Sequence, residues 1–257
     1  MKIKSTNGFA NQFRHSLFFN YALKNSILKN VTQYWTITNH NNVSFCKFFK
    51  KPCCLNIIEN HMMCVHEIEK FDYENEPFSF LAKKYTNEKS FEICKKSFKD
   101  FELKDEYKFK IQEFIKENAI ENSIGLHLRT TCKTALLKEN KNSRFQPKDI
   151  QHIIKKIKET DKKVYLATDN KETQDKMINL FGNKIIFYKK IESGEENFEG
   201  KYDKSKVKRN TTDLHTIFDF YALQRCSSFI GSNESTFSIM IKWIRNNATD
   251  DPISGSL

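Results

Sequence analysis

A chain of 257 residues, 39% hydrophobic and 13% aromatic, has material for one large core or two ordinary ones. No apolar run approaches the ~18 residues of a spanning helix, which excludes stable membrane insertion of that kind. Lys and Arg outnumber Asp and Glu by 43 to 32, giving +11, yet only six are Arg and the Lys residues are scattered among Asn, Glu and Asp. That distribution argues against a nucleic-acid-binding stripe, while the field it creates suits a small anionic ligand.

Lys2-Ile-Lys-Ser5 reads as an opening strand. Asn7-Gly-Phe-Ala-Asn-Gln-Phe-Arg14 then leads into a helix whose predicted inner face is Phe13, Leu17, Phe18, Tyr21 and Leu23. With seven Gly in the whole chain, Gly8 at a strand–helix junction is informative, because it tolerates unusual backbone angles and lets a ligand approach. Asn11, Gln12, Arg14 and His15 crowd polar groups into the first turns, either toward a ligand or as a solvated cap region. Residues 33–38 form a second predicted strand, 44–50 a short helix and 55–58 a third strand. Residues 60–104 show no clean pattern. An amphipathic helix over 105–119 uses Tyr107, Ile111, Phe114 and Ile115. Its end sets the predicted boundary between an N-terminal domain (1–118) and a C-terminal domain (119–257).

Beyond it, strands and helices alternate. Strand 123–129 contains His127 and Arg129 and runs into Thr130-Thr-Cys-Lys133 and a polar loop to Arg144. A helix opening at Gln146 uses Ile150, Ile153, Ile154 and Ile157. Strand 163–168 ends at Asp169-Asn170, followed by a helix (173–181) closed by Gly182 and a strand over 184–188. After a charged loop (191–210), the helix from Asp213 has Leu214, Ile217, Phe218, Phe220, Tyr221, Ala222 and Leu223, so it is predicted to be buried nearly all round. Asp219 is set into it one turn after His215. Strand 227–231 then ends in Ser232-Asn-Glu-Ser-Thr-Phe-Ser238, with several candidate N-caps ahead of a helix over 237–244.

This alternation predicts an α/β fold with a parallel sheet, helices on both faces and a ligand beyond the carboxyl ends of the strands. Three polar sets fall on that rim: His127 with Arg129, Asp169 with Asn170, and Ser232 to Ser238. The guanidinium of Arg129 is a planar fork of donors suited to a diphosphate, at a place where an indifferent site in this chain would have Lys. His127 shares its face of the strand, as a ligand to base or ribose or as a core histidine. Asp169 could bind a hydroxyl, orient Arg129 or cap the next helix. Asp219, if buried, could accept the two N–H donors of a guanine edge or simply pair with His215. The turn holding Ser232, Ser235 and Thr236 is a phosphate cradle by its position at a helix N-terminus, or an ordinary cap.

The seven Cys form no C-x-x-C pair and are odd in number, and Met1 to Gly8 lacks a signal-peptide core, so a reducing, cytoplasmic compartment is expected. The spacing of Cys53, Cys54, His61, Cys64 and His66 matches no usual zinc pattern, and no metal is predicted.

Gly8-Phe-Ala-Asn-Gln-Phe-Arg14, His127-Leu-Arg129, Ala167-Thr-Asp169 and the block from Asp219 to Ile230-Gly-Ser-Asn-Glu-Ser235 together resemble the fucosyltransferase superfamily (α1,2-, α1,6- and protein-O-fucosyltransferases) in content and order. The similarity covers residues 1–30 and 120–245. It implies a GT-B architecture of two Rossmann-like domains, with the donor site in the C-terminal one. The implied activity is inverting transfer of L-fucose from GDP-fucose to a glycan or other hydroxyl acceptor, with no metal and no cofactor. His127 and Asp219 would hold the guanosine, Arg129 the β-phosphate, and Ser235 with its neighbours Ser232 and Thr236 the phosphates. Asp169 and Asn170 would join the donor site, and Gly8 and Asn11 would approach it from the other domain. Where relatives have His-x-Arg-Arg-x-Asp, this chain has Thr130 and Cys132 in place of the second Arg and the Asp. Leu137 falls near the place of an acceptor-activating carboxylate, with Glu139 two residues on, while Lys133 matches a basic residue of that loop. Either Glu139 serves as base, or the reaction relies on Arg129 stabilising the leaving group. The competing readings are a transferase using another nucleotide sugar, a non-catalytic sugar-binding relative and a basic nucleic-acid-binding protein.

Overall fold

The computed structural model describes residues 2–5, 9–37, 43–52, 54–61, 87–129, 147–188, 211–231 and 235–245. Their elements are β1 (Lys2–Ser5), α1 (Phe9–Lys24), β2 (Thr32–Ile37), α2 (Phe45–Phe48), β3 (Asn56–His61), α3 (Asn87–Phe98) and α4 (Asp105–Glu117). There follow β4 (Ile124–Leu128), α5 (Pro147–Glu159), β5 (Val164–Thr168), α6 (Lys171–Phe181), β6 (Ile185–Ile186), α7 (Asp213–Arg225), β7 (Ser228–Gly231) and α8 (Thr236–Ile244). The described residues divide into two compact units between Phe109 and Lys110. Each unit has its own parallel sheet.

In the first unit the strands lie in the order β1-β2-β3, with Ser5 opposite Trp35 and Trp35 opposite Glu59. Helix α1 buries Phe13, Leu17 and Phe18 as its periodicity predicts, but Tyr21 and Leu23 are only half-buried and Phe9, Phe19 and Ala22 are inside instead. The stripe is wide enough to take in polar side chains one turn apart. Gln12, Ser16 and Asn20 are buried, and burial makes hydrogen-bond partners necessary for their polar groups. Ser16 Oγ donates to Gln33 Oε1 at 2.7 Å, and Gln33 Nε2 to the Gln12 carbonyl at 3.1 Å. Asn20 Nδ2 donates to Asp100 Oδ2 at 2.8 Å. The core is aromatic: Phe13 stacks between Phe9 (5.3 Å) and Phe49 (5.2 Å), with Phe101 edge-on at 5.4 Å. The predicted helix over 44–50 shortens to one turn because Phe49 leaves it to bridge Leu103, and Lys50 N–H donates to the Glu102 carbonyl. Cys94, on α3, is buried in this unit.

The second unit has the strand order β6-β5-β4-β7. The chain starts at β4, steps outward to β5 and β6, then returns past its starting point to lay β7 on the other flank. Crossovers leaving in opposite directions put helices on opposite faces. Accordingly, Ile153 and Ile157 of α5 and Met177 of α6 pack with Leu126, Leu128, Val164, Leu166, Ile185 and Ile230 on one side. On the other side lie α7 and α8. Strand β6 is shorter than the predicted 184–188. Only Ile185 and Ile186 pair with β5, and Tyr188 turns away to pack its ring 4.1 Å from Phe218. Gly182 closes α6 at φ 54°, a conformation that favours glycine. Arg245 is buried and donates from Nη1 to the Leu223 carbonyl (2.6 Å) and from Nη2 to that of Cys226 (2.8 Å), which satisfies the end of α7. Cys226 is buried here too.

Candidate functional site

Reversal of winding makes the gap between β4 and β7 a topological switch point. In open α/β sheets ligands bind outside the carboxyl ends of the strands at such a point. The residues there come from three short segments of the second unit. His127 occupies the penultimate position of β4, opposite Gly231 of β7 and Ala167 of β5. Arg129 follows the last strand residue and is half-buried. Side-chain alternation puts His127 on the face covered by α7 and α8, opposite to Leu126 and Leu128.

The buried His127 ring is fixed from two directions. Its Nδ1 lies 2.7 Å from Ser238 Oγ, and its plane packs 4.9 Å from the Phe237 ring. That approach of α8 depends on Gly231, where a Cβ would lie 2.6 Å from Ser238 Oγ and 2.5 Å from the Phe229 ring. Ser238 ends the polar set Ser232 to Ser238 predicted for that rim, but the sequence assigned it no role of its own. A hydroxyl three residues after Ser235, flanked by Phe237 and Ile239, was the available signal.

Ser235 stands at the N-cap position of α8 with extended backbone angles, and its carbonyl accepts from Ile239 N–H at 2.9 Å. Its side chain makes no capping bond, and its Oγ is buried without a hydrogen-bond partner among the described residues. Elsewhere the same position is used in the ordinary way. Asn170 Oδ1 accepts from Thr173 N–H at 2.8 Å at the start of α6. Thr212 Oγ1 accepts from His215 N–H at the start of α7, while His215 Nδ1 accepts from Thr212 N–H. A buried hydroxyl left unpaired at the positive end of a helix, where backbone N–H groups also lack internal acceptors, is a donor set shaped for an anion's oxygen. Thr168 Oγ1, ending β5, and Gln174 Nε2 in α6 are likewise buried without partners among the described residues.

Asp169 follows β5 and is half-buried, and the capping role weighed for it belongs to its neighbour Asn170. Thr236, the first residue of α8, is half-buried. Asp219 is buried in α7, as the pattern predicts, but its carboxylate accepts from the Tyr165 hydroxyl (Oη to Oδ1, 2.7 Å). Tyr165 was missed because a tyrosine in the run Val164-Tyr-Leu-Ala-Thr168 passes for one more apolar residue, although a buried phenol needs a partner. Burial, and then the charge of Asp219, push its hydroxyl well above the usual range, so it stays a donor. Tyr188 is raised by burial and then by the same carboxylate.

Asn11 lies in the first unit, in the opening turns of α1, where its Oδ1 accepts from Arg14 Nη2 at 3.5 Å. Gly8, Lys133, Glu139 and Ser232 lie outside the described residues, as do Thr130, Cys132 and Leu137. Of the cysteine–histidine cluster, Cys54 is exposed and His61 ends β3, while Cys53, Cys64 and His66 also lie outside. Among the described residues no group of three or more His, Cys, Asp and Glu could hold a metal ion, and no helix is long and apolar enough to cross a membrane.

This chain has the Rossmann-like α/β fold of the fucosyltransferases. Among solved structures it is similar to NodZ alpha-1,6-fucosyltransferase soaked with GDP-fucose, at 16% identity and a TM-score of 0.56, over 95% of this chain and 92% of that one. Fucosyltransferase NodZ from Bradyrhizobium matches over the same shares at 14% identity and a TM-score of 0.56. POFUT1 in complex with GDP-fucose matches at 11% identity and a TM-score of 0.52, over 98% of this chain and 97% of that one. No protein-family model matches the sequence, and no curated protein matches it.

Proposed function

We propose that this chain is an inverting glycosyltransferase of GT-B architecture that transfers L-fucose from GDP-fucose to a hydroxyl of a glycan or other acceptor. The observation that carries the reading is Ser235, whose buried Oγ lacks a partner among the described residues at a helix N-terminus beside the switch point. Such a group costs free energy unless something supplies the missing bond, and a pyrophosphate oxygen does so. Fold neighbours crystallised with GDP-fucose or GDP support the choice of nucleotide.

In this mechanism the acceptor oxygen attacks C1 of the sugar from the face opposite the departing diphosphate. Negative charge builds on the β-phosphate oxygen as the C1–O bond breaks. Arg129 meets that charge with its guanidinium fork, and α8 meets it with the N–H groups of its first turn and the hydroxyls of Ser235 and Thr236, with Ser232 assigned to the same phosphates. Because these groups are held in place before the reaction, little reorganisation opposes the charge transfer. His127, fixed by Ser238, and Asp219, fixed by Tyr165, hold the guanosine. Asp169 accepts from a donor hydroxyl. Either Glu139 takes the acceptor proton, with Lys133 assigned to the same step, or the reaction relies on Arg129 stabilising the leaving group.

Thermal-shift measurements with GDP, UDP, CMP and a short oligonucleotide test the reading. Stabilisation by GDP in preference to the others is expected. A response to the oligonucleotide alone overturns it.

A further inference from the structure

We propose that Tyr165 determines base specificity at the donor site, by holding the Asp219 carboxylate in the orientation that accepts from the edge of a guanine. The inference rests on the nucleotide-sugar reading above and deepens it. Asp219 sits in the middle of α7 between Phe218 and Phe220, all three buried. Asp is a poor helix former there, and a buried carboxylate is costly unless it is used. Its hydrogen-bond partner Tyr165 is equally out of place, a fully buried phenol in a strand whose other core positions are Val164, Leu166 and Ala167. A Phe would fill the same volume with no polar group to satisfy. Apolar replacements of a buried polar pair are often neutral or stabilising, so stability alone does not account for it.

The local geometry supplies a reason. Tyr165 reaches Asp219 from the sheet, across the layer between β5 and α7, at 2.7 Å. The aromatic rings of Phe114, Tyr188 and Phe218 wall the same layer, with Phe114 lying 6.0 Å from Tyr165, 5.6 Å from Tyr188 and 5.7 Å from Phe218. A carboxylate has about four lone-pair sites. The bond from a fixed strand anchors Oδ1 and limits how the carboxylate can turn. Guanine presents two adjacent N–H donors, N1–H and the 2-amino group, which match the two oxygens of one carboxylate. Hypoxanthine keeps only the first, and uracil flanks its single N–H with carbonyls. A site built to satisfy two donors discriminates strongly against a base lacking one.

Calorimetric titration of the full chain and of Tyr165→Phe with GDP, IDP and UDP tests the assignment, with Tyr188→Phe as the control for a neighbour that feels the Asp219 charge. The wild type is expected to prefer GDP over IDP by about tenfold, the scale of one hydrogen bond to a charged group. Tyr165→Phe is expected to lose most of that preference while its weaker binding of UDP, carried by the phosphates, is kept. Tyr188→Phe is expected to retain the preference. Retention of the wild-type GDP-to-IDP ratio in Tyr165→Phe overturns the inference and leaves the proposed function standing. Equal loss of all three ligands marks Tyr165 as a purely structural residue and also overturns it. Failure of the wild type to bind GDP at all overturns the nucleotide reading itself and this inference with it.

Discussion

Removing a hydroxyl that has no partner among the described residues should not weaken the fold, and Ser235→Ala is therefore expected to unfold, without nucleotide, at the same urea concentration as the wild type or slightly higher. The same change should weaken GDP about tenfold in a titration, and unchanged affinity would remove Ser235 from the phosphate site. Arg129→Ala is expected to leave the circular dichroism spectrum intact and to slow transfer from GDP-fucose by ~10²–10³-fold, the usual effect of losing one charge-stabilising donor. Near-normal turnover would exclude Arg129 from the mechanism. His15 gives a pH effect in the first unit. Burial, followed by the nearby Arg14 charge, lowers it to about 3. The unfolded chain then binds a proton near pH 6.5 that the native one refuses, so stability falls as pH drops from about 6.5 toward 3. Urea unfolding at pH 7 and pH 5 should differ by on the order of 1 kcal/mol more in the wild type than in His15→Gln. At this scale the sequence was legible where a residue type was scarce, as with Arg129. It was opaque where a polar group hides in an apolar class, as with Tyr165. It was ambiguous where two good caps adjoin, as with Asp169 and Asn170.

Elements are held at the switch point by close approach more than by length. Strand β7 has four residues, and its terminal Gly231 is what lets α8 bring Ser238 to His127. Gly231→Ala is expected to lower stability by about 1–3 kcal/mol through overpacking and to weaken GDP as well, since the displaced helix carries Ser235. Normal affinity together with lowered stability would show that the seat of α8 is irrelevant to the ligand. Most strands and helices of the second unit could be read directly, because β4 and β5 are inner strands, and the helices between the strands have a clear 3.6-residue period. The short apolar run at Phe229 and Ile230 reads as an inner strand too, yet β7 lies at the edge beside β4. The other edge was harder. The run at Lys184 to Tyr188 looks like a full strand, yet an edge strand is held from one side only, and the tyrosine gains more by joining the aromatic layer. The segment now seen to include α3 gave no clear signal, since Lys and Glu interrupt its apolar positions.

Over the whole molecule, net charge and topology make separate predictions. A field of +11 attracts a diphosphate from a distance, so the GDP dissociation constant should rise as salt is raised from about 0.05 to 0.5 M. Independence from salt would confine recognition to short-range contacts. Hydrogen exchange with and without GDP should show added protection in peptides covering residues 126–129, 165–169 and 235–239, the three segments that the strand order brings to one rim. Topology was legible only up to parallel pairing. The alternation of elements demanded it, but nothing in the sequence says that β7 returns to the far side of β4. Strand order is decided by how all the faces are covered at once.

The buried thiols make each unit chemically addressable. Cys94, in the first unit, and Cys226, in the second, are shielded and held by burial at about 12 and about 11, so neither supplies a thiolate while its surroundings stay closed. An alkylating reagent will therefore modify the exposed Cys54 at once and reach the other two only when their surroundings open. Mass spectrometry of the alkylated peptides can then time the opening of one unit against the other in the unaltered protein, and show which of the two GDP closes.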